Sequence, residues 1–278
     1  MNLPVYIKVI LLGLLEGATE FLPVSSTGHL IIANDFLAFT GEQAKTFDIF
    51  IQLGAICAIV WHYRMRLVYT VLSLFFEPAS RRFAVNLLIA FLPAALLGLA
   101  LHKYIKAWLF NPVTVALALI LGGFVILWIE SRPRPPSVDT VHDMTAKEAL
   151  KIGLAQSLAL FPGVSRAGAT IMGGLLSGLS RPAATEFSFF LAIPTMLAAT
   201  LYDLYKSRQL LDGGDLEWLG IGFVSAFLSA SLVVRVLLVY VARHDFKGFA
   251  WYRVLLGGLV LTYFALEGSL LTAFTGAS

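Results

Sequence analysis

Long apolar runs dominate this chain, and two polar interruptions break the pattern. Runs near 44–62, 83–101, 112–130, 183–205, 217–241 and 250–268 each approach the roughly 20 residues that carry an α-helix across a bilayer. Six transmembrane helices are predicted. Two further apolar regions are interrupted at Leu22-Pro23 and Pro162-Gly163. Each interruption leaves a pair of short helices, 4–20 with 27–38 and 147–160 with 167–178, and none is long enough to span alone. Proline and glycine there release backbone groups that hydrocarbon cannot satisfy. Two re-entrant hairpins resolve both difficulties, with irregular backbone lining a central polar cavity.

The two regions are copies. Gly13 and Gly153, Phe21 and Phe161, Val24 and Val164, Ser25 and Ser165, and Gly28 and Gly168 all differ by 140, and Ala44/Ala184 and Phe47/Phe187 keep that offset. Leu121-Gly122-Gly123 and Leu256-Gly257-Gly258 echo each other more distantly. Three spans follow the first hairpin, so the second enters from the opposite face. The expected fold class is therefore an all-α polytopic membrane protein with an inverted-topology repeat. Its parts are a first repeat at 1–130, a linker at 131–145 (SRPRPPSVDTVHDMT) and a second repeat at 146–278. Thr145 followed by Glu148 predicts a capping box that opens the next helix.

Composition agrees: 58% of residues are hydrophobic and 13% charged, outside the range of soluble domains. The net charge of +3 reflects topology rather than nucleic-acid binding, because the basic residues flank spans. Arg64, Arg66, Arg81 and Arg82 assign the 63–82 loop to the cytoplasm. Arg132, Arg134, Lys147 and Lys151, then Arg243, Lys247 and Arg253, fall on the same side. Lys103, Lys106 and the connection holding Lys206, Arg208, Asp212, Asp215 and Glu217 become external. With Lys8 inside the first apolar stretch and no cleavage pattern, a removable signal peptide is not expected. The single cysteine, Cys57, reads as core filler.

Polar residues inside such a chain mark function. Glu16 and Glu20 share one helix face; a pair of buried carboxylates needs a cation, a shared proton or water. Ser25, Ser26 and Thr27 follow the Pro23 break at a helix start, where free N–H groups favour an anion, though such residues also serve as plain N-caps. His29, three residues after Ser26, falls where it could activate a serine hydroxyl. In the second copy Arg166 stands where Ser26 stands in the first, and its planar fork suits phosphate oxygens. Ser165 and Thr170 could add hydroxyl donors. Asp48, Gln52, Asn86, Glu186 and Arg235 are weaker candidates that could pair internally, and Glu130 and Glu267 read as interfacial.

At EGATE and PGVSRAGAT the chain resembles the undecaprenyl-diphosphatase family of bacteria, also known as the bacitracin-resistance protein family. These stretches match that family's glutamate-x3-glutamate and PGxSRSxxT motifs, with Ala167 in place of the usual serine. The resemblance implies hydrolysis of a C55 polyprenyl diphosphate to the monophosphate, recycling the carrier for cell-wall synthesis. It also implies a site in the bacterial inner membrane open to the periplasm, and a divalent cation, Mg or Ca. Carried onto this sequence it implicates Glu16, Glu20, Ser26, His29 and Arg166, with Glu16 and Glu20 as metal ligands. The expected partners are the polyprenyl diphosphate, membrane lipid and a second copy of the chain in a homodimer. Ser26 could attack phosphorus directly, or Glu20 could activate water. A transporter or flippase is the rival from another class, because inverted repeats with broken helices are a transporter architecture.

Overall fold

The computed structural model describes residues 3–108, 111–132, 135–207 and 216–266. Arg134, Arg208, Asp212, Asp215 and Glu267 lie outside the described residues, as do the side chains of Lys103 and Lys106. Among the described residues the elements are helical: α1 (Val5–Thr19), α2 (Ser26–Phe36), α3 (Glu42–His62), α4 (Arg64–Ser73), α5 (Pro78–Trp108) and α6 (Pro112–Glu130). The second half continues with α7 (Ala146–Ser157), a 3-10 turn (Leu158–Leu160), α8 (Arg166–Leu176), α9 (Arg181–Ser207), α10 (Leu216–Val241) and α11 (Lys247–Leu266). Five of these helices are long and apolar enough to cross a membrane, and α3 with α4, bent by 69°, makes up to six. The protein is a multi-pass membrane protein.

The expected breaks fall at the two prolines. α2 and α8 have the same length, and their first residues are 140 apart. The 63–82 segment, read from sequence as a loop, instead contains α4. Its Met65, Val71 and Leu72 are exposed, and Phe75 and Phe76 just beyond it are more than four-fifths exposed. A helix turned 69° out of the spanning direction puts such residues where the bilayer surface would receive them.

The halves exchange packing partners. α1 lies along α10 of the second half, whereas α7 lies along α5 of the first; α6 and α11 pair with each other. That is the pattern a pseudo-two-fold axis produces. Gly13 and Gly153 permit it, since a Cβ at Gly13 would sit 2.5 Å from the Gly222 carbonyl oxygen and one at Gly153 would sit 2.5 Å from that of Ala90. Small residues let membrane helices approach this closely, where packing rather than water expulsion drives association.

The segment expected to be a linker packs down in part. Val138, Val141 and Met144 are buried, the amides of Ser137 and Val138 donate to the Gly178 carbonyl, and Ser180 donates back to Val138. Thr145 and Glu148 form the predicted capping box on α7. Desolvation raises the Glu148 carboxyl, but its hydrogen bonds with Thr145 outweigh this and hold it below the usual range. A cluster of buried aromatics then sits beneath the hairpin tips, including Phe21, Phe187, Phe189 and Phe190. The rings of Phe21 and Phe189 meet edge to face at 5.5 Å.

Candidate active site

Each hairpin turns through a backbone conformation that L-amino acids rarely adopt. Ser25 (φ 70°, ψ 95°) and Ser165 (φ 72°, ψ 116°) precede α2 and α8 in nearly the same conformation. Such backbone strain, about 1–3 kcal/mol per residue, persists only where the surroundings enforce it. Much of that enforcement comes from Arg253 of α11, whose side chain is 1% exposed. Its guanidinium donates to the carbonyls of Pro23 (3.1 Å), Gly163 (3.0 Å), Val164 (2.9 Å), Ala118 (3.1 Å) and Leu119 (3.3 Å). One side chain thereby satisfies backbone that both breaks release and ties the two tips together. The loop-charge reading of Arg253 as a cytoplasmic flank is corrected: the residue lies two turns inside α11, against the tips.

Glu20, at the C-terminus of α1, joins the functional side chains. Its carboxylate accepts a short hydrogen bond from Ser26 Oγ and an ion-paired one from Arg166 Nη2 at 3.2 Å. Arg166 further donates to the Ser188 carbonyl at 3.0 Å and lies over the Phe21 ring at 5.6 Å. Two buried atoms of oppositely charged groups beside this junction, Glu16 Oε2 and Arg166 Nε, have no hydrogen-bond partner among the described residues. Unsatisfied buried polar atoms are costly, and these two belong to the charged groups that meet at the tips.

His29 is placed differently from the sequence expectation. Nδ1 faces the Ser25 carbonyl at 2.8 Å and Nε2 faces the Tyr252 hydroxyl at 2.6 Å. A carbonyl only accepts, so the neutral ring carries its proton on Nδ1 and takes a hydrogen bond from Tyr252 on Nε2. Both nitrogens are thus engaged away from Ser26, and Glu20 is the group on that hydroxyl. Tyr252 was not singled out from sequence; neither was Ser188. Thr170 Oγ1 is taken up by the Arg166 carbonyl (2.9 Å) and Ser188 Oγ (2.7 Å). Ser165 Oγ accepts from the Gly168 amide at 3.0 Å and caps α8, whereas α2 has no side-chain cap at Ser25. The first turn of α2, with Thr27, therefore keeps its amides open toward an anion.

Four of the weaker candidates find internal partners. Asp48 accepts from Asn34 at 3.0 Å, Gln52 from Thr200 at 3.1 Å, and Asn86 donates to Met144. Glu186 pairs with Arg66 at 2.5 Å. Arg235 is exposed on α10. Glu130, expected at the interface, is buried, paired with Arg181 and accepting from the Phe246 amide at 3.0 Å.

A family model described as bacitracin resistance protein BacA matches residues 9–259, a stretch that contains both tips, Tyr252 and Arg253. The chain belongs to the bacitracin resistance protein family. It is 58% identical over 255 residues to the undecaprenyl-diphosphatase of Dechloromonas aromatica, covering 92% of this chain and 93% of that protein. It is 60% identical over 262 residues to undecaprenyl-diphosphatase 2 of Rhodospirillum rubrum, covering 94% and 96%. For the undecaprenyl-diphosphatase of Ectopseudomonas mendocina the identity is 54% over 267 residues, covering 96% and 97%. In this member of the bacitracin resistance family, the acidic stretch and the PGVSRAGAT stretch meet across the tips through the Glu20 and Arg166 pair.

Proposed function

We propose that the protein hydrolyses undecaprenyl diphosphate to the monophosphate and inorganic phosphate, in the bacterial inner membrane, with the site reached from the external face. The observation that carries this reading is the Glu20 carboxylate held between Ser26 Oγ and Arg166, beside the uncapped start of α2. Phosphoryl transfer asks a protein for positioning and charge neutralisation more than for covalent chemistry. Arg166 and the open amides of α2 supply the second.

Glu20 takes the proton of Ser26 as Oγ forms a bond to the terminal phosphorus. The bond from that phosphorus to the bridging oxygen breaks, and undecaprenyl phosphate leaves. Glu20 passes that proton to the departing phosphate; water then attacks the phosphoserine as Glu20 takes a proton from it, the P–Oγ bond breaks, and the proton returns from Glu20 to Ser26 Oγ as inorganic phosphate is released. His29 acts as a positioning residue: its Nδ1–H holds the Ser25 carbonyl and so fixes the turn that presents Ser26. The orphaned oxygen of Glu16 fits a divalent cation, Mg or Ca, which Glu16 and Glu20 would hold together with substrate phosphates, as Mg is usually held. Bound there, the cation would neutralise charge on the diphosphate. The lipid tail has a path in the apolar groove between α1 and α2, about 320 Å³ and lined by Leu11, Leu12, Leu15 and Phe36. Leu12 lies one turn before Glu16 on the same face of α1.

The test is phosphate release from undecaprenyl diphosphate by the purified protein, with rapid quench and mass spectrometry of the Ser26 peptide. Release with a phosphorylated Ser26 is expected. Release without any trapped phosphoserine, and with turnover retained in Ser26→Ala, would assign the attack to water activated by Glu20; no release would overturn the reading.

A further inference from the structure

About ten residues beyond Arg166 along α8, roughly 15 Å at 1.5 Å per residue, a second cleft opens at the end of the molecule where the basic loops gather. It encloses about 320 Å³ between the ends of α6, α8, α9 and α10. Its walls are of two kinds. Arg132, Arg181, Arg243 and His244 supply cationic groups, and Trp128, Leu175, Leu176 and Leu179 supply an apolar side.

The charge in the cleft is only partly cancelled. Arg181 is held by Glu130 through two hydrogen bonds, one of 3.1 Å from Nε and one shorter. The neighbouring acid, Asp245, is paired with Lys247 at 3.0 Å. Among the described residues no carboxylate pairs with Arg132 or Arg243. Arg132 instead stacks on Trp128 at 4.9 Å, which leaves its N–H edge open. Two uncommitted guanidiniums facing one cavity match the oxygens of a phosphate. The apolar side continues outward, since Trp128 and Leu176 are each about half exposed, and tryptophan at this depth marks the headgroup level of a bilayer.

We infer that this cleft is a binding site for the phosphate headgroup of an anionic phospholipid, with Arg132 and Arg243 on the phosphate and an acyl chain along Trp128 and Leu176. Nothing in it is shared with the Glu20 and Arg166 junction. A membrane lipid is favoured over a soluble anion because the cleft joins its charged floor to lipid-facing apolar residues. Basic pockets between spans on the cytoplasmic side recognise such headgroups.

The experiment is native mass spectrometry of the full-length protein released from nanodiscs containing phosphatidylglycerol and phosphatidylcholine in equal amounts. Wild-type protein should retain phosphatidylglycerol at least tenfold over phosphatidylcholine. Arg132→Gln with Arg243→Gln should lose that preference, Arg132→Lys with Arg243→Lys should keep part of it, and Glu20→Gln should keep it whole. An unchanged unfolding midpoint in the double Gln variant separates loss of the site from loss of the fold. Equal retention of the two lipids by wild type would overturn the inference, as would full preference in the double Gln variant. Separate arms offer inorganic phosphate and a polyprenyl phosphate; displacement of phosphatidylglycerol by either at equimolar concentration would reassign the cleft away from membrane phospholipid.

Discussion

The two hairpin tips share a backbone and divide the chemistry. Ser25 and Ser165 lie 2° apart in φ, and α2 and α8 start at equivalent positions. Yet the first tip carries Glu16, Glu20, Ser26 and His29, while the second offers Gln156, Leu160, Arg166 and Ala169 at those positions. Only the second tip closes its helix start with a side-chain cap. The comparison teaches that the repeat serves as a frame. Two strained turns locked by one arginine bring an acid from one copy against a cation from the other, which neither hairpin could do alone.

The largest effects should come from separating that pair. Glu20→Gln and Arg166→Lys should each lower phosphate release about 10³-fold, near 4 kcal/mol of transition-state stabilisation, the scale seen when a preorganised polar group is lost from an active site. If Arg166→Lys turned over at the wild-type rate, point charge alone would suffice and the planar fork would be irrelevant. Next comes the lock itself. Arg253→Met removes a side-chain donor from five carbonyls, three of them at the tips, and should destabilise the protein by about 3 kcal/mol, read as a lower unfolding midpoint in detergent. An unaltered midpoint would mean the tips hold their turns without it. A smaller effect is expected at Tyr252→Phe, which removes the hydroxyl from His29 Nε2. Turnover should fall about tenfold, or 1.4 kcal/mol, in kcat with KM nearly unchanged; a change confined to KM would instead make Tyr252 a substrate contact.

How much of this was legible in sequence depends on the kind of signal. The hairpin breaks were readable because Pro23 and Pro162-Gly163 interrupt apolar runs, and membrane backbone must be satisfied locally. The 140-residue offset likewise placed Arg166 opposite Ser26. The partner of His29 was not readable, since Tyr252 is 223 residues away and no periodicity connects them. Spacing pointed to Ser26 as a helix-face neighbour, but the positive φ at Ser25 sets the turn so that the ring meets the Ser25 carbonyl instead. Arg253 was misread by a sound rule: arginines near a span end do mark the cytoplasmic side. The available counter-signal was its depth, six residues past Lys247 and beyond Trp251 and Tyr252, where an arginine needs internal acceptors. α4 was missed because its arginines drew it into the loop count.

The smallest expected difference is also the most direct probe of how the copies diverged. Alanine at either serine keeps a Cβ at the same positive φ, so the backbone strain is equal in Ser25→Ala and Ser165→Ala. What differs is the hydroxyl. Ser165 Oγ accepts from the Gly168 amide, and losing an N-cap of this kind costs about 1 kcal/mol. Ser25 makes no such bond, so its removal should leave the unfolding midpoint in place while raising KM for the diphosphate about threefold, through loss of one hydroxyl donor near the open amides of α2. Equal losses of stability in the two variants would mean that the α2 start is capped as firmly as that of α8, and the anion would then have to be held by Arg166 without help from the helix.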